Sequence, residues 1–510
     1  MSPSTRIPHA AAPYNAGADL LVSAARRGGD TVVRCDGVAT SGESLAAGAL
    51  ALQAGLGARG VSPGERVLIL LRDTPAFVMA FTGALRGGFV PVPLSTSLPA
   101  KDASFIARDA GVRAALVDRS LPALADPALY PPGAALIHAG VSSFEGVSPG
   151  AEPDAAPTLA GDRAFFLYTS GTTGEPKGAV HRHVDLPVTA ECYARDLLEL
   201  GPGDRVLSAA KLHFAYGLGN SLTFPLALGA EVVLAPERAT PEAVFALIAR
   251  EQPSVFFGVP TLYAAMLAHP EPPASLGRVR VCVSAGEALP AALYQRWLTQ
   301  FGVEILDGLG STEMLHVFLS NRPGAARAGS CGVPVSGYEL RVVDGDGNDV
   351  PDGEIGTLLA RGESAARAYH ERPADTARTM FAPGWLRTGD SVRRDGDGFY
   401  WHAGRSDDLI KVSGSYVSPI EVEALLAEHP SVLEAAVVGE PDASGLTKPR
   451  AFVVLAPGAQ PSERLARELQ EFVKANSAPH KYPRRVDFVD ELPKTATGKI
   501  RRHLLREKRP

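Results

Sequence analysis

Apolar residues recur along the chain in runs of two different lengths. Residues 64–94, GERVLILLRDTPAFVMAFTGALRGGFVPVPL, contain a short apolar run, a longer apolar-rich stretch and a second short run after Gly87 and Gly88. This pattern predicts a strand, a helix and a strand, with the two glycines at the turn. Residues 1 to about 115 continue the alternation. Residues 118–160 are rich in Pro, Ala and Gly and predict a loosely structured surface connection.

The pattern is most regular between residues 164 and 313. Apolar runs there predict strands in DRVLSAA, AEVVLAP, SVFFGVP, VRVCVSA and VEILDGLG. Longer amphipathic runs predict helices in TPEAVFALIAREQ, TLYAAMLAH and PAALYQRWLTQFG. Such alternation predicts largely parallel sheets covered by helices, with ligands bound at the carboxyl ends of the strands. The segments 168–178, 284–287 and 310–313 are expected at such ends.

The character of the chain changes twice after residue 329. Short β-like runs (YELRVVD, EIGTLLARG and GFYWHAG) predict a small β-rich subdomain. Further on, Ser418 and Pro419 have the chemistry of an N-cap and a first helical position. The following runs predict two strands and another helix, in AAVVGE, RAFVVLA and SERLARELQEFVKAN. Together they predict a compact α+β domain of about 100 residues, a size able to fold alone.

We therefore predict an α/β protein with a large N-terminal domain of βα-layered sheets, a small β-rich subdomain and a C-terminal α+β domain. A chain of 510 residues exceeds what one hydrophobic core usually serves. The predicted boundaries are 1–404 for the N-terminal domain and 409–510 for the C-terminal domain, joined by residues 405–408.

Charge and composition exclude several classes of protein. A net charge of −6 gives no electrostatic footprint for nucleic acid. The four cysteines are scattered, without the paired spacing of a metal site. No apolar run approaches the length of a membrane span, and the N-terminus lacks the apolar segment of a signal peptide. We expect a cytoplasmic protein without a membrane partner.

The segment 168–178, YTSGTTGEPKG, combines hydroxyl side chains and glycines and carries a lysine near its end. Glycine backbone and Ser/Thr hydroxyls at a strand exit form a nest of donors suited to polyphosphate oxygens. A P-loop would need Gly-Lys-Ser/Thr at the start of a helix, whereas Pro176 precedes Lys177 and Gly178 follows it. An ordinary surface turn is the other interpretation.

This segment closely resembles the signature loop of the adenylate-forming superfamily, which includes acyl-CoA synthetases, carrier-loading adenylation domains and luciferases. Further matching motifs are GSTEMLHVF, WLRTGD, GRSDD and PKTATGKIRR, so the resemblance covers nearly the whole chain. The resemblance implies a set of residues that bind ATP and AMP. They are Thr169, Ser170, Gly171, Thr172, Thr173, Gly174, Lys177, Ala285, Gly286, Glu287, Asp307, Gly308, Leu309, Gly310, Ser311, Thr312, Asp390 and Arg405.

The resemblance also implies roles for individual residues. Glu313 is expected to hold Mg²⁺ and Thr312 to donate to the phosphates. Asp390 is expected to accept from the ribose hydroxyls, with Arg405 on ribose or phosphate. Lys499 is expected to neutralise charge between the substrate carboxylate and the α-phosphate. Taken alone, these residues are also compatible with a solvated carboxylate, a common turn and a solvated cation.

A second set of implied roles concerns domain motion. The C-terminal domain is expected to act as a mobile lid that rotates about a hinge at Asp407 between two half-reactions. In the second pose Gly414 would line the pantetheine tunnel, where a side chain would obstruct the arm.

Residues 211–230 and 307–321 resemble the benzoate-CoA ligase group of aryl-CoA synthetases. By this resemblance Ala215, Tyr216 and Val317 border an aromatic ring, and His316 lies near the carboxylate. The rest of the implied aryl-acid pocket comes from neighbouring motifs and comprises Gly217, Ser284 and Gly310. Tyr216 as a core aromatic and His316 as a satisfied histidine are the alternatives. Leu309 departs from the superfamily, because many members place an aromatic residue beside adenine there.

The resemblance implies an ATP-dependent aryl-CoA ligase that forms benzoyl-CoA, AMP and pyrophosphate from benzoate, ATP and CoA through benzoyl-adenylate. Its substrates would be ATP, CoA and an aromatic acid, with Mg²⁺ as cofactor. Ligases for 4-hydroxybenzoate or aminobenzoate, and a stand-alone enzyme that loads a carrier protein, are the alternatives. A non-catalytic relative would lack the metal-binding glutamate or the catalytic lysine, and both Glu313 and Lys499 are present. Monomer and homodimer remain open.

Overall fold

The computed structural model describes residues 7–148, 150, 152–169, 175–381, 384–406, 408–412, 415–441, 447–477, 481–494 and 500–507. Helices α1 to α4 are Ala16–Ala25, Gly42–Ala58, Pro75–Arg86 and Ala100–Asp109. Strands β1 to β6 are Thr31–Cys35, Val38–Ser41, Arg66–Leu70, Val90–Pro93, Val112–Asp118 and Ala135–Ala139. The predicted strand, helix and strand are β3, α3 and β4, with Gly87 and Gly88 at the turn as expected.

Four of these strands form a parallel sheet in the order β4-β3-β5-β6. Strand β6 lies within residues 118–160, so the prediction of a loosely structured connection is wrong for that part. Ile137 and Ala139 of β6 are buried in the core. A five-residue strand in a Pro-rich context gives too short a pattern to be recognised from periodicity.

The middle of the chain alternates strands and helices before it becomes β-rich. Strands β7 to β14 are Arg163–Thr169, Lys177–Arg182, Arg205–Ser208, Glu231–Leu234, Val255–Gly258, Val281–Ala285, Ile305–Gly310 and Val317–Ser320. Helices α5 to α10 are Asp185–Thr189, Ala215–Leu218, Phe224–Leu228, Pro241–Glu251, Pro260–Leu267 and Ala291–Phe301. A π-helical segment, Gly219–Thr223, joins α6 to α7.

The β-rich part follows. Strands β15 to β21 are Val333–Pro334, Glu339–Val343, Ile355–Arg361, Ala368–Tyr369, Met380–Phe381, Trp385–Arg394 and Tyr400–Arg405, and helix α11 is Pro373–Thr379. Strands β16, β17, β20 and β19 pair in that order, and β21 pairs with β20. The predicted β-rich subdomain is therefore present.

The largest sheet has nine strands in the order β15-β14-β13-β12-β11-β9-β10-β1-β2. Its centre, from β13 to β1, is parallel, as predicted for residues 204–310. Strands β7 and β8 instead form an antiparallel hairpin in a separate sheet with β18. The segment 168–178 therefore does not follow a strand of the parallel sheet, which corrects that expectation.

The C-terminal part has a sheet and a core of its own. Strands β22 to β26 are Ile410–Val412, Ser415–Val417, Val432–Pro441, Thr447–Leu455 and Arg485–Phe488, and helices α12 to α14 are Pro419–Ala427, Glu463–Asn476 and Arg502–Glu507. Its core includes the buried side chains of Val422, Val437, Val453 and Leu469. Ser418 caps α12 as predicted, because its hydroxyl accepts from the backbone N–H of the residue three positions on.

The α/β class, with a large N-terminal part and a smaller C-terminal part, is confirmed. Strand β21 ends at Arg405 and β22 begins at Ile410. The predicted linker of residues 405–408 begins at the last residue of β21 and ends before β22, and its role as a hinge stays a prediction. Within the described residues, no helix is long and apolar enough to cross a membrane.

Candidate active site

Two predicted motifs lie side by side where β12 and β13 leave the central sheet. These parallel strands pair Ser284 with Asp307. Ala285 is the last residue of β12 and Gly310 is the last residue of β13, and residues 286–287 follow directly. The sheet therefore brings together two segments that are separate in the sequence, at the edge where parallel sheets bind ligands.

The turn of residues 311–316 joins β13 to the antiparallel strand β14. Its backbone is closed by the N–H of Leu315, which donates to the carbonyl oxygen of Thr312 at 3.0 Å. A β-carbon at Gly310 would lie 2.6 Å from the carbonyl oxygen of His316. Such a contact is too close for any side chain, so the entry to this turn requires glycine.

Glu313 is held at both its backbone and its side chain. The hydroxyl of Tyr369 donates to Glu313 Oε1 at 2.6 Å, and the N–H of Ala366 donates to the Glu313 carbonyl oxygen at 2.7 Å. Among the described residues, no cluster of three or more His, Cys, Asp or Glu could hold a metal ion. Mg²⁺ is commonly bound by one or two carboxylates together with substrate phosphates, so a single carboxylate here fits that ion.

Lys177 and Thr169 mark the two ends of the hydroxyl-rich loop, where they pair across the β7–β8 hairpin. Lys177 Nζ lies 2.9 Å from Asp375 Oδ1 and 5.7 Å from the centre of the Tyr369 ring. The hydrogen bond from Lys177 lowers the pKa of Asp375, and the charges of Lys177 and Arg378 act in the same direction. The lysine and Glu313 therefore share Tyr369 as a neighbour.

Asp390 and Arg405 face each other across strands β20 and β21. Arg405 Nη1 donates to Asp390 Oδ1 at 3.2 Å and to the carbonyl oxygen of Thr388 at 2.9 Å. His402 Nε2 lies 3.3 Å from Asp390 Oδ1. The two residues that the sequence assigns to the nucleotide are thus in direct contact, and the arginine fixes the carboxylate.

The residues predicted to border an aromatic ring lie around the start of α6 and of β14. Ala215 is the first residue of α6, and Val317 is the first of β14. The Tyr216 ring meets Phe257 edge to face, with ring centres 6.0 Å apart. A β-carbon at Gly217 would lie 2.0 Å from a backbone carbonyl oxygen, so α6 can approach the preceding loop only with glycine there.

His316 is buried among aromatic rings. Its ring centre lies 4.6 Å from that of Phe224, 5.1 Å from Tyr193 and 5.4 Å from Tyr216. His316 Nε2 is 3.1 Å from Asn220 Oδ1. Burial lowers the pKa of His316 to about 3. The imidazole is therefore neutral at physiological pH, and this side of the site carries no cation from His316.

Asp307 is also buried. Burial raises the pKa of its carboxyl to about 8, although the Ser284 hydroxyl and the backbone N–H groups of Leu289 and Gly308 act in the opposite direction. The carboxyl is largely protonated at neutral pH and can donate as well as accept a hydrogen bond. Leu309 lies two residues after Asp307. It is half-buried and packs against the core, as an apolar contact for adenine would require.

Several predicted residues lie outside the described part of the chain. They are Ser170, Gly171, Thr172, Thr173, Gly174, Asp407, Gly414 and Lys499. Their roles stay predictions, as do the roles of the residues that are described.

Some contacts of the site were not predicted from the sequence. Tyr369 and Asp375 lie in β18 and α11, far along the chain from their partners, and no local pattern marks them. His181 and Asp185 lie behind the turn of residues 311–316. The run HRHVD (residues 181–185) was a sequence signal that could have indicated this pair. It places ionisable residues at the end of a buried strand, where apolar residues are usual.

Comparison with protein-family models gives two matches. A family described as AMP-binding enzyme matches residues 20–370, and the AMP-binding enzyme C-terminal domain matches residues 421–499. The first match covers more than half of the chain and includes both strand ends of the candidate site.

The chain is similar to several characterised proteins over nearly its full length. It is 48% identical to a benzoate--CoA ligase of Thauera aromatica, over 99% of this chain and 97% of the relative. It is 44% identical to a 4-hydroxybenzoate--CoA/benzoate--CoA ligase of Rhodopseudomonas palustris, over 88% of this chain and 85% of the relative. A crystal structure of a benzoate CoA ligase from Burkholderia xenovorans LB400 is similar with a TM-score of 0.90 and 47% identity, over 97% of this chain and 100% of that chain.

Proposed function

Because this chain belongs to the family of AMP-binding enzymes, we propose that it is an ATP-dependent aryl-CoA ligase that acts on benzoate. The reaction converts benzoate, ATP and CoA into benzoyl-CoA, AMP and pyrophosphate through benzoyl-adenylate. The observation that carries the proposal is the 48% identity to a benzoate--CoA ligase over 99% of the chain. The geometry of the site supports it, because groups suited to a nucleotide and groups suited to a neutral ring lie next to each other.

In the first half-reaction, a carboxylate oxygen of benzoate attacks the α-phosphorus of ATP. The new O–P bond replaces the bond to the bridging oxygen, and pyrophosphate leaves with that electron pair. Lys499 neutralises the negative charge that develops between the carboxylate and the α-phosphate. Thr312 donates to the phosphate oxygens. Glu313 would hold Mg²⁺, which screens the charges of the triphosphate.

The nucleotide side of the site positions ATP for this attack. Asp390 accepts from the ribose hydroxyls, and its bond from Arg405 keeps the carboxylate in place. Residues 285–287 and 307–310 border the adenine ring. Leu309 replaces the aromatic stacking found in many relatives with an apolar contact. Lys177 binds phosphate oxygens and must then exchange its partner Asp375 for the nucleotide.

The acid side suits a flat, uncharged ring. Ala215 leaves room that a larger side chain would fill, Gly217 lets α6 lie close to the preceding loop, and Tyr216 supplies one aromatic wall. The neutral His316 lies at the end of this pocket near the carboxylate. A ring that carries a charge would lose hydration here without gaining a partner from His316.

In the second half-reaction, the sulfur of CoA attacks the carbonyl carbon of the adenylate. A C–S bond forms, the thiol gives up its proton, and AMP leaves with the electron pair of the C–O bond. The thiol must approach along a different path, with Gly414 lining the tunnel and Lys499 withdrawn. Residues 409–510 would rotate as a unit about Asp407 relative to residues 1–404.

One contact supports such a rotation. Asp408, the residue after the proposed hinge, forms ion pairs with Arg502 and Arg506 of α14. Arg502 also pairs with the half-buried Glu423, at 2.7 Å from its Oε2. The chain on the C-terminal side of residue 407 is therefore fixed to the C-terminal part, so backbone rotation is expected on the N-terminal side of Asp408.

A panel of aromatic acids tests the proposal. Purified protein is given ATP, Mg²⁺, CoA and benzoate, 4-hydroxybenzoate, 2-aminobenzoate or an aliphatic acid of similar size, and AMP, pyrophosphate and thioester are measured. We expect CoA-dependent AMP release with the highest kcat/KM for benzoate. Differences of one substituent are worth about 1–3 kcal/mol in an apolar pocket, so related acids should react more slowly.

Two results would contradict the proposal. If pyrophosphate forms but CoA does not accelerate AMP release, the chain would be an enzyme that loads a carrier protein. If no aromatic acid supports pyrophosphate release, the assignment to aromatic acids is wrong. A higher kcat/KM for 4-hydroxybenzoate than for benzoate would instead group the chain with 4-hydroxybenzoate--CoA ligases.

A further inference from the structure

A buried histidine lies directly behind the turn that carries Thr312 and Glu313. His181, in strand β8, has no exposed surface, and its Nε2 lies 2.9 Å from the carbonyl oxygen of Thr312. On the other side of the ring, Nδ1 lies 3.1 Å from Asp185 Oδ2. The Phe165 ring stacks on the imidazole with a centre-to-centre distance of 5.1 Å and an interplanar angle of 17°. Both ring nitrogens and one stacked ring therefore hold the imidazole in place.

The direction of the hydrogen bond to the turn follows from its partner. A carbonyl oxygen only accepts, so Nε2 of His181 donates to the Thr312 carbonyl. Asp185 in turn accepts from the backbone N–H of Arg182 at 2.9 Å and from its Nε at 2.9 Å. The histidine therefore donates to the backbone of the turn through Nε2, and its other ring nitrogen contacts a carboxylate that is itself held in place.

The same pair of strands also holds Glu313. Strand β8 pairs with β18, where Ala368 lies opposite Val180. Tyr369 of β18 donates to the carboxylate of Glu313. One sheet therefore fixes the backbone at Thr312 through β8 and the side chain of Glu313 through β18.

We propose that His181 is a positioning residue for acyl-adenylate formation, which holds the Thr312 carbonyl so that Thr312 and Glu313 face the phosphates. The inference rests on the proposed function, since it assigns the turn to ATP. Without His181, the Thr312 carbonyl keeps, among the described residues, the bond from Leu315 within the turn. The turn can then shift relative to the strand ends. Small displacements of reacting groups lower the rate of a chemical step strongly.

Two substitutions of similar volume test the hydrogen bond. His181→Leu keeps the buried bulk but removes the donor, whereas His181→Gln keeps an amide N–H that can donate to the Thr312 carbonyl. For acyl-adenylate formation, measured as steady-state pyrophosphate release in the presence of CoA, we expect His181→Leu to lower kcat on the order of tenfold to 100-fold. We expect its KM for benzoate to change less than about threefold and His181→Gln to recover most of the loss.

The control is His183→Gln, two positions along the chain. His183 is also buried, but its Nδ1 accepts from the backbone N–H of Ala16 and does not contact the turn. Thermal unfolding of each variant is measured alongside. We expect near wild-type kcat for His183→Gln.

Three outcomes would overturn the proposal. They are wild-type kcat in His181→Leu, equal losses in His181→Leu and His181→Gln, and an equal loss in His183→Gln. A wild-type protein that forms no acyl-adenylate from any aromatic acid is a different result, because it removes the proposed function itself.

Discussion

The two sides of the candidate site handle charge in opposite ways. On the nucleotide side, Lys177 is paired with Asp375 and Arg405 with Asp390, each from separate segments of the chain. On the acid side, the buried His316 is kept neutral, because burial lowers its pKa to about 3.

This difference indicates how one site can bind two unlike substrates. A triphosphate needs several opposite charges that are held in place before it arrives. A flat aromatic ring gains affinity from apolar contact and would lose it beside an unpaired charge. In the proposed mechanism the carboxylate of the acid lies between the two sides, so we expect its added cation to come from a residue that can withdraw again.

We expect the largest effect from a substitution that removes that cation. We expect Lys499→Ala to lower the rate of benzoyl-adenylate formation by about 10²–10³. Thioester formation from supplied benzoyl-adenylate and CoA should be nearly unchanged, because we propose that the lysine is withdrawn in that step. The two half-reactions are measured separately by pyrophosphate release and thioester formation. The control is Lys494→Ala, which removes an ion pair with Glu434. Equal losses in both half-reactions would contradict the assignment.

The next effect concerns the ribose. We expect Asp390→Ala to lower kcat/KM for ATP on the order of 50-fold, because hydrogen bonds to a charged group contribute about 1.5–3 kcal/mol each. The KM for benzoate should change little, since the ring side is unaffected. Steady-state kinetics with each substrate varied in turn measure both values. Asp395→Ala is the control, because Asp395 pairs with Arg327 in the same subdomain. If only the KM for benzoate rose, Asp390 would belong to the acid side, and its assignment to the ribose would be wrong.

Much of the nucleotide side could be predicted from the sequence. The central strands are continuous apolar runs, so their order of appearance and their helices were recognisable. Residues 284–287 and 307–313 then follow at strand ends, where parallel sheets bind ligands. What the sequence pattern could not indicate is the partner of each charged group. Asp375 and Tyr369 belong to short elements with no periodicity of their own.

The antiparallel hairpin of β7 and β8 shows the same limit. The glycine-rich and hydroxyl-rich segment was recognised by its composition, but its sheet was not. Pairing of β8 with β18 joins segments that are far apart in the chain, and local periodicity carries no information on such pairing. For this reason the contact between His181 and Thr312 could not be predicted from the sequence, although both residues lie in recognisable segments.

The neutral acid side can be tested through the pH dependence of stability. The pKa of His316 is about 3 in the folded protein and about 6.5 in the unfolded chain. The neutral imidazole therefore contributes its full share to the free energy of unfolding above pH 6.5, and this contribution is lost as the pH falls towards 3. Between about pH 7.5 and pH 5, this residue alone should lower the free energy of unfolding by about 2 kcal/mol, about 30-fold in the folding constant. Urea unfolding of wild type and His316→Gln should differ by that amount in their pH dependence. The control is His9→Gln at an exposed position. An unchanged pH dependence in His316→Gln would contradict a buried neutral imidazole.

The smallest expected effect tests the room beside the ring. Ala215→Val adds two methyl groups at the start of α6, and overpacking of a filled site typically costs about 1–3 kcal/mol. We expect KM for benzoate to rise about tenfold with KM for ATP unchanged, because only the acid side loses volume. The control is Ala227→Val in α7, a half-buried position on the same helical run that packs against the core. If Ala215→Val raised KM for ATP instead, the contrast between a charged nucleotide side and a neutral acid side would not hold at this residue. If both variants were equally impaired, the effect would come from helix packing, and α6 would then support the site without bordering the ring.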